Sequence, residues 1–254
     1  MAPIISNAQS SERELAHFGL PFQKGTKEEM ILNVRIEGKH NPENKADYTG
    51  AKGIIREPKY RKMIRKQRCL VLTNGFIVEQ EKGGVVKAYL VYQRGTKKPF
   101  TMAGIWEEYQ VESRKGRTEK KTHFAVLTGP ANELMKKMGQ VRAPIIIRDE
   151  DEVEWLRNDL PLSDITSMLQ SFDPEDFNAY PIDPTIRNMK VFDRNRFKPI
   201  GARLMPSNRF TMQQKLELQG MGNTAARKRR DKEKLREASG EVRRTFGKKY
   251  KEEE

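Results

Sequence analysis

Phe124-Ala125-Val126-Leu127-Thr128-Gly129-Pro130-Ala131-Asn132-Glu133-Leu134-Met135-Lys136-Lys137-Met138 sets a strand signal directly before a helix signal. Residues 124–127 form an uninterrupted apolar run, long enough for a buried strand and too short for a helix. Pro130 brings a φ suited to a first helical turn, so the spacing predicts a short helix over 130–138. Residues 143–147 are apolar again and read as the next strand. Upstream, Cys69-Leu70-Val71-Leu72 followed by Thr73-Asn74-Gly75 reads as a buried strand ending in a turn. Residues 85–92 alternate as a second strand, and 94–98 read as a hairpin loop leading into a strand over 100–106. Downstream, Asp149-Glu150-Asp151-Glu152 opens a helix containing Trp155 and Leu156, with its acids where the helix dipole favours them. Strands outnumber helices and do not alternate with them. The expected fold is therefore α+β, a curved, barrel-like and mostly antiparallel sheet with flanking helices, not a parallel βαβ stack.

The composition changes near residue 200. Residues 201–254 hold 15 Lys/Arg against 8 Asp/Glu, a net +7 by subtraction and half of the +14 carried by the 254-residue chain. We expect a globular domain over 1–200 and a basic, helical or partly disordered arm over 201–254, with its densest charge at Arg227, Lys228, Arg229 and Arg230. A solvated helical face explains such a run as readily as a binding arm does. The overall balance, 49 Lys/Arg against 35 Asp/Glu, makes a polyanion the natural partner, with nucleic acid ahead of an anionic membrane. Cys69 is the one cysteine, which excludes an internal disulfide framework and any multi-cysteine metal site and fits a reducing compartment. His17, His40 and His123 are far apart and show no ligand spacing, so no metal or cofactor is expected. With no apolar run near 18 residues and no leader pattern, the chain reads as soluble and cytoplasmic.

Three segments, in order, resemble the SOS response-associated peptidase (SRAP) family of abasic-site-binding proteins. Residues 68–76 are similar to the family's strand RCLIPADGFYEW, residues 98–107 to its strand PFAFAGLWE, and residues 127–135 with 142–156 to its longest conserved run. Phe18-Gly19-Leu20-Pro21, Asn33-Val34-Arg35-Ile36-Glu37 and Ala179-Tyr180-Pro181-Ile182 extend the likeness over roughly residues 3–190. In the family, a cysteine at position 2 attacks the aldehyde of a ring-opened abasic site, and its thiol and amine close a thiazolidine that shields single-stranded DNA. An asparagine, a glutamate and a histidine surround that chemistry.

The resemblance implies a degenerate site. Position 2 is Ala2, and Ala2-Pro3-Ile4-Ile5 aligns well inside the family domain, so the catalytic N-terminal segment is expected to be missing. The glutamate's place falls on Val78, with Glu79 adjacent if a one-residue bulge shifts the register. The histidine's place falls on Gln140, and of the four chemical positions Asn33 alone is retained. Cys69 is read as a buried structural cysteine. The DNA-facing frame is better kept: Arg35 and Arg142 match arginines that face the backbone, and Phe18 replaces a tryptophan able to stack on a base. The plainer readings make Phe18 a core residue and pair Arg35 with Glu37 or Glu57. Trp106 and Trp155 are read as core anchors, and Glu107-Glu108 is rejected as a catalytic pair because strand neighbours point to opposite faces. Residues 38–53, an insertion relative to the family, are read as a polar surface loop.

These readings favour a single-stranded DNA-binding protein without crosslinking or peptidase activity. Two alternatives stay open. One is a phage or mobile-element assembly protein whose basic arm docks a protein partner; the other is a residual abasic-site lyase or peptidase built on Asn33 with Glu79 or Glu37.

Overall fold

A computed structural model describes residues 1–24, 27–95, 99–112 and 118–204. Among these described residues lie thirteen strands and four short helices. The strands are β1 (Ala2–Ser6), β2 (Gln9–Phe18), β3 (Leu20–Lys24), β4 (Lys27–Ile31), β5 (Asn33–Arg35), β6 (Arg68–Thr73), β7 (Phe76–Lys82), β8 (Val85–Gln93), β9 (Phe100–Glu112), β10 (Thr118–Pro130), β11 (Arg142–Pro144), β12 (Ile146–Ile147) and β13 (Phe177–Ile182). The helices are α1 (Met63–Lys66), α2 (Glu133–Lys137), α3 (Glu152–Trp155) and α4 (Leu162–Met168). The architecture is α+β. Five strands close on themselves in the order β10, β2, β1, β6, β9 and back to β10, while β13, β8 and β7 form a separate sheet and β3 pairs with β4.

The two faces of the barrel sheet bury separate cores. Phe124, Val126, Val71, Met102 and Ile4 face a core shared with Val78, Val91 and Phe177 of the second sheet and Leu134 and Met135 of α2. Their neighbours Ala125, Leu127, Leu70, Ala103 and Ile105 face the other core, with Val34, Ile54, Ile64 and Trp155. This double burial explains the uninterrupted apolar runs, because both sides of each strand need apolar side chains.

Three local expectations are corrected. The strands that flank 94–98 are not hairpin partners: β8 pairs with β7 and β13, whereas β9 pairs with β6, β10 and β12, and residues 96–98 lie outside the described residues. The helix after β10 starts at Glu133, because Asn132 accepts the amide of Met135 at 3.0 Å as its N-cap, and Pro130 stays in β10 opposite Arg142. Residues 143–147 belong to two strands. The β9–β10 ladder ends at Gly104 and Val126, and the diverging ends are filled by β11 on β10 and β12 on β9. Among the described residues, no helix is long and apolar enough to cross a membrane.

Candidate nucleic-acid interface

β10 gathers residues from two distant strands into one row. It pairs in parallel with the end of β2, setting Phe18 beside Phe124, and then with β5, setting Asn33 beside Val126 and Arg35 beside Thr128. Paired residues share a face, so Phe18, Asn33 and Arg35 stand in line on the side of Phe124 and Val126. The gap between β2 and β5 is spanned by the β3–β4 hairpin, which leaves the barrel at Gly19. That residue has φ +109°, and an added Cβ would sit 3.1 Å from both Met30 and Leu32, so glycine is required at this exit. Phe18 is 43% exposed and stacks on Phe124 with ring centroids 5.2 Å apart. It is anchored on its inner side and open on its outer side. Asn33 and Arg35 are exposed, and Arg35 Nη1 donates to the Asn41 carbonyl at 3.2 Å.

Val78 and Gln140, where an acid and an imidazole are expected from the resemblance, carry no group that can move a proton. Ala2 is half-buried beside Ala16. Val78 is buried, and the β7–β8 ladder runs without a bulge from Phe76 opposite Val91 to Lys82 opposite Val85, so the register that would bring Glu79 inward does not occur. Glu79 takes the opposite face of β7, where its carboxylate lies 3.5 Å from Arg187. Gln140 donates from Nε2 to the Glu79 carbonyl at 2.7 Å, which fixes its amide.

Arg142 does not offer itself to a phosphate. Nε donates to Thr128 Oγ1 at 3.0 Å; Nη1 donates to Glu37 Oε1 at 2.7 Å and Asn44 Oδ1 at 2.6 Å; Nη2 donates to Glu37 Oε2 at 2.7 Å and the Thr128 carbonyl at 2.6 Å. A guanidinium has five N–H bonds, and all five are used. Glu37 is 1% exposed, so displacing Arg142 would strand a buried carboxylate. Burial alone would raise the Glu37 carboxyl, but the hydrogen bonds and charge of Arg142, helped by Asn41, hold it below the usual carboxylate range. This pairing also settles the partner of Glu37, which is Arg142 and not Arg35. The 38–53 segment is tied into the network. Asn41 is buried and donates to Glu37 Oε1 at 3.2 Å, Asn44 takes φ 54°, and Lys52 Nζ donates to the Thr166 carbonyl at 2.6 Å.

Cys69 is fully buried, and burial pushes its thiol far above the usual range. Trp155 is fully buried and donates to the Cys69 carbonyl at 3.1 Å, while half-buried Trp106 donates to Asn7 Oδ1 at 3.0 Å. Glu107 bonds the Tyr109 hydroxyl and Glu108 pairs with Lys120, on opposite faces of β9. Arg227, Lys228, Arg229 and Arg230 lie outside the described residues. Two features were missed from sequence. Arg68 is fully buried, and its guanidinium donates to the carbonyls of Trp155, Ile64, Arg65 and Arg157, stapling the ends of α1 and α3. His17 and His123 stack with centroids 5.0 Å apart across the β2–β10 seam. The arginine carried no signal, since charge alone places it outside; the histidines are 106 residues apart and meet only through the barrel's closure.

Comparison with known proteins gives a consistent picture. The family model described as SOS response associated peptidase (SRAP) matches residues 6–189. Abasic site processing protein YoqW, of Bacillus subtilis and of Bacillus phage SPbeta, is 25% identical over 141 residues, 55% of this chain and 61% of YoqW. Abasic site processing protein YobE of Bacillus subtilis is 23% identical over 145 residues. The chain thus spans about three fifths of the length of these curated relatives. A crystal structure of a Bacteroides thetaiotaomicron protein superposes with TM-score 0.62 at 27% identity, covering 78% of this chain and 81% of that one. One from Bordetella bronchiseptica, at TM-score 0.50 and 16% identity over 72% of this chain and 83% of that one, shares the fold.

Proposed function

This chain belongs to the SOS response associated peptidase family, and on that premise we propose that it binds single-stranded DNA of the abasic-site type without crosslinking it or cutting peptides. The observation that carries the reading is the row of Phe18, Asn33 and Arg35 along β10. An aromatic with one open face accepts an unstacked base, an exposed amide offers both a donor and an acceptor, and an exposed guanidinium forks onto a phosphate. Chemistry is a different matter. A thiazolidine needs a thiol and an amine on one residue, and general acid–base help needs a titrating side chain within reach. Val78 and Gln140 supply no such side chain, and Asn33 does not titrate. Arg142 serves this site as a framework residue, holding β10, β11 and the 38–53 segment together.

The test is to incubate the protein with matched single strands, intact and carrying one abasic site, and to run native and denaturing gels. The expected result is a shift on the native gel that weakens steeply with salt and vanishes on the denaturing gel. Phe18→Ala with Arg35→Ala should weaken binding by about 2–4 kcal/mol, combining a lost stack with a lost phosphate contact. A band that survives denaturation with the abasic strand refutes the loss of chemistry; no shift with any strand refutes binding.

A further inference from the structure

A second concentration of charge, unrelated to the site just described, lies immediately before β6. Residues 56–66 hold six cations, Arg56, Lys59, Arg61, Lys62, Arg65 and Lys66, against the single acid Glu57, a net +5 by subtraction. Arg56, Lys59, Arg61, Lys62 and Lys66 are exposed and Arg65 is half-buried. None of the six makes an ion pair with a described carboxylate. Asp159, which feels the charge of Lys66, is engaged by Arg157 at 2.9 Å. The contacts these cations do make are to carbonyls and rings. Arg65 Nη1 donates to the carbonyls of Ile55 and Arg61, Lys66 Nζ donates to that of Asn158, and Lys59 Nζ sits 3.5 Å over the Phe22 ring.

The segment is rigidly seated. Ile54, Met63 and Ile64 are buried in the core shared with Trp155, and the turn and helix are closed by bonds from Arg61 N to Glu57 O at 2.8 Å and Ile64 N to Tyr60 O at 2.9 Å. A backbone already held in place loses little further freedom on binding. The segment covers the core on the Val34 side of the sheet, whereas Asn33 and Arg35 alternate with Val34 and point the other way. Like charges concentrated in one segment repel one another, and a polyanion relieves the repulsion.

We propose that Arg56, Arg61 and Lys62, flanked by Arg65, form a second phosphate-binding surface for the stretch of nucleic acid flanking the segment held by Phe18, Asn33 and Arg35. Two observations choose nucleic acid over other polyanions. The cations are half arginine, whose planar fork suits phosphate oxygens. The exposed large apolar side chains include none between residues 33 and 76, so the segment itself has none to insert in a lipid surface or to anchor a protein interface.

The proposal takes its polyanion from the reading above, and the test separates the two. Full-length protein is titrated by fluorescence anisotropy with a single strand of about 8 nucleotides, the scale of one binding groove, and another of about 40, over a range of salt. Arg61→Ala with Lys62→Ala should leave the short strand unaffected and weaken the long one about tenfold at moderate salt. The slope of log K against log salt should fall by about 1.4, since each lost single-strand phosphate contact removes about 0.7. Arg61→Lys with Lys62→Arg, which keeps both charges, should restore most of the affinity. Unchanged binding of the long strand by the alanine pair overturns the second surface alone. Equal loss on both strands also overturns it, by showing one continuous site. Wild-type protein that ignores both strands but sediments with anionic vesicles overturns this inference and the DNA-binding reading together.

Discussion

Arg142 shows that a residue's type does not fix its work. The sequence leads one to expect an arginine facing DNA, yet its donors are spent on Glu37, Thr128 and Asn44. Removing one partner of a buried ion pair leaves an uncompensated charge, so Arg142→Met should cost about 3–5 kcal/mol of folding stability in urea denaturation. Pairing it with Glu37→Leu should recover most of that loss, because the stranded carboxylate goes with its partner. The pH dependence follows in sign. The Glu37 carboxyl titrates below its unfolded value, so its contribution is full above the ordinary carboxylate range and is lost as pH falls through the lower, folded value. In Arg142→Met the same carboxyl, buried and unpaired, titrates above its unfolded value, and the deficit of the variant should shrink on acidification. A deficit that stays constant from neutral pH to about pH 4 would show that the pair is not buried as described. Charge and spacing made the arginine visible; its partner was not, because Glu37 and Arg142 meet across 105 residues.

Strands were legible one by one, and their partners were not. Apolar runs located β6, β9 and β10, since burial on both faces leaves a direct mark on composition, and alternation located β8. Pairing is a property of distant segments, so a turn-rich stretch such as 94–98 reads as a hairpin whether or not its flanks meet. The weakest junction of the barrel illustrates this. β2 joins β10 through two registered pairs, His17 with His123 and Phe18 with Phe124, while β9 joins β10 through nine. His123 is buried, with Nδ1 2.9 Å from the Gly19 carbonyl, and Tyr109 packs edge-on against its ring. Burial first, then the positive fields of His123, Lys121 and the N-terminal amine, lower the pKa of His17. A histidine depressed in the folded state favours folding fully above its unfolded pKa, and stability is lost as pH falls through that value toward the folded one. Thermal midpoints measured between about pH 7.5 and 5 should therefore drop on the acid side, and His17→Gln should flatten that limb. An identical acid limb in the variant would remove the histidine stack from the account.

For the molecule as a whole, the two cores leave the barrel sheet no solvent face over residues 68–71, 100–105 and 123–129. Cys69 stands at its centre, with its Sγ 2.7 Å from where a side chain on Gly104 would begin. Such a thiol reacts only when the barrel opens. Labelling with a thiol reagent under native conditions should proceed at the rate set by global unfolding and rise with denaturant in step with it. Rapid labelling in buffer would mean that the seam admits reagent locally. The fold class was legible in sequence because strand density and missing βαβ alternation are compositional facts. The buried Arg68 and the locked Arg142 were not, because hydrophobic patterning sends every arginine to the surface.

β10 is the strand on which β2, β5, β9 and β11 all converge, and its bond to β2 reaches back from Phe124 to Phe18. During synthesis, β2 therefore leaves the ribosome about a hundred residues before the strand that completes it. At roughly 5–20 residues per second, its open edge waits on the order of ten seconds. β1, β2 and β6 can meet in that interval, but the cylinder cannot shut. The nascent chain passes through a half-open sheet with an unpaired border, the form in which neighbouring chains on one messenger would most readily join to each other.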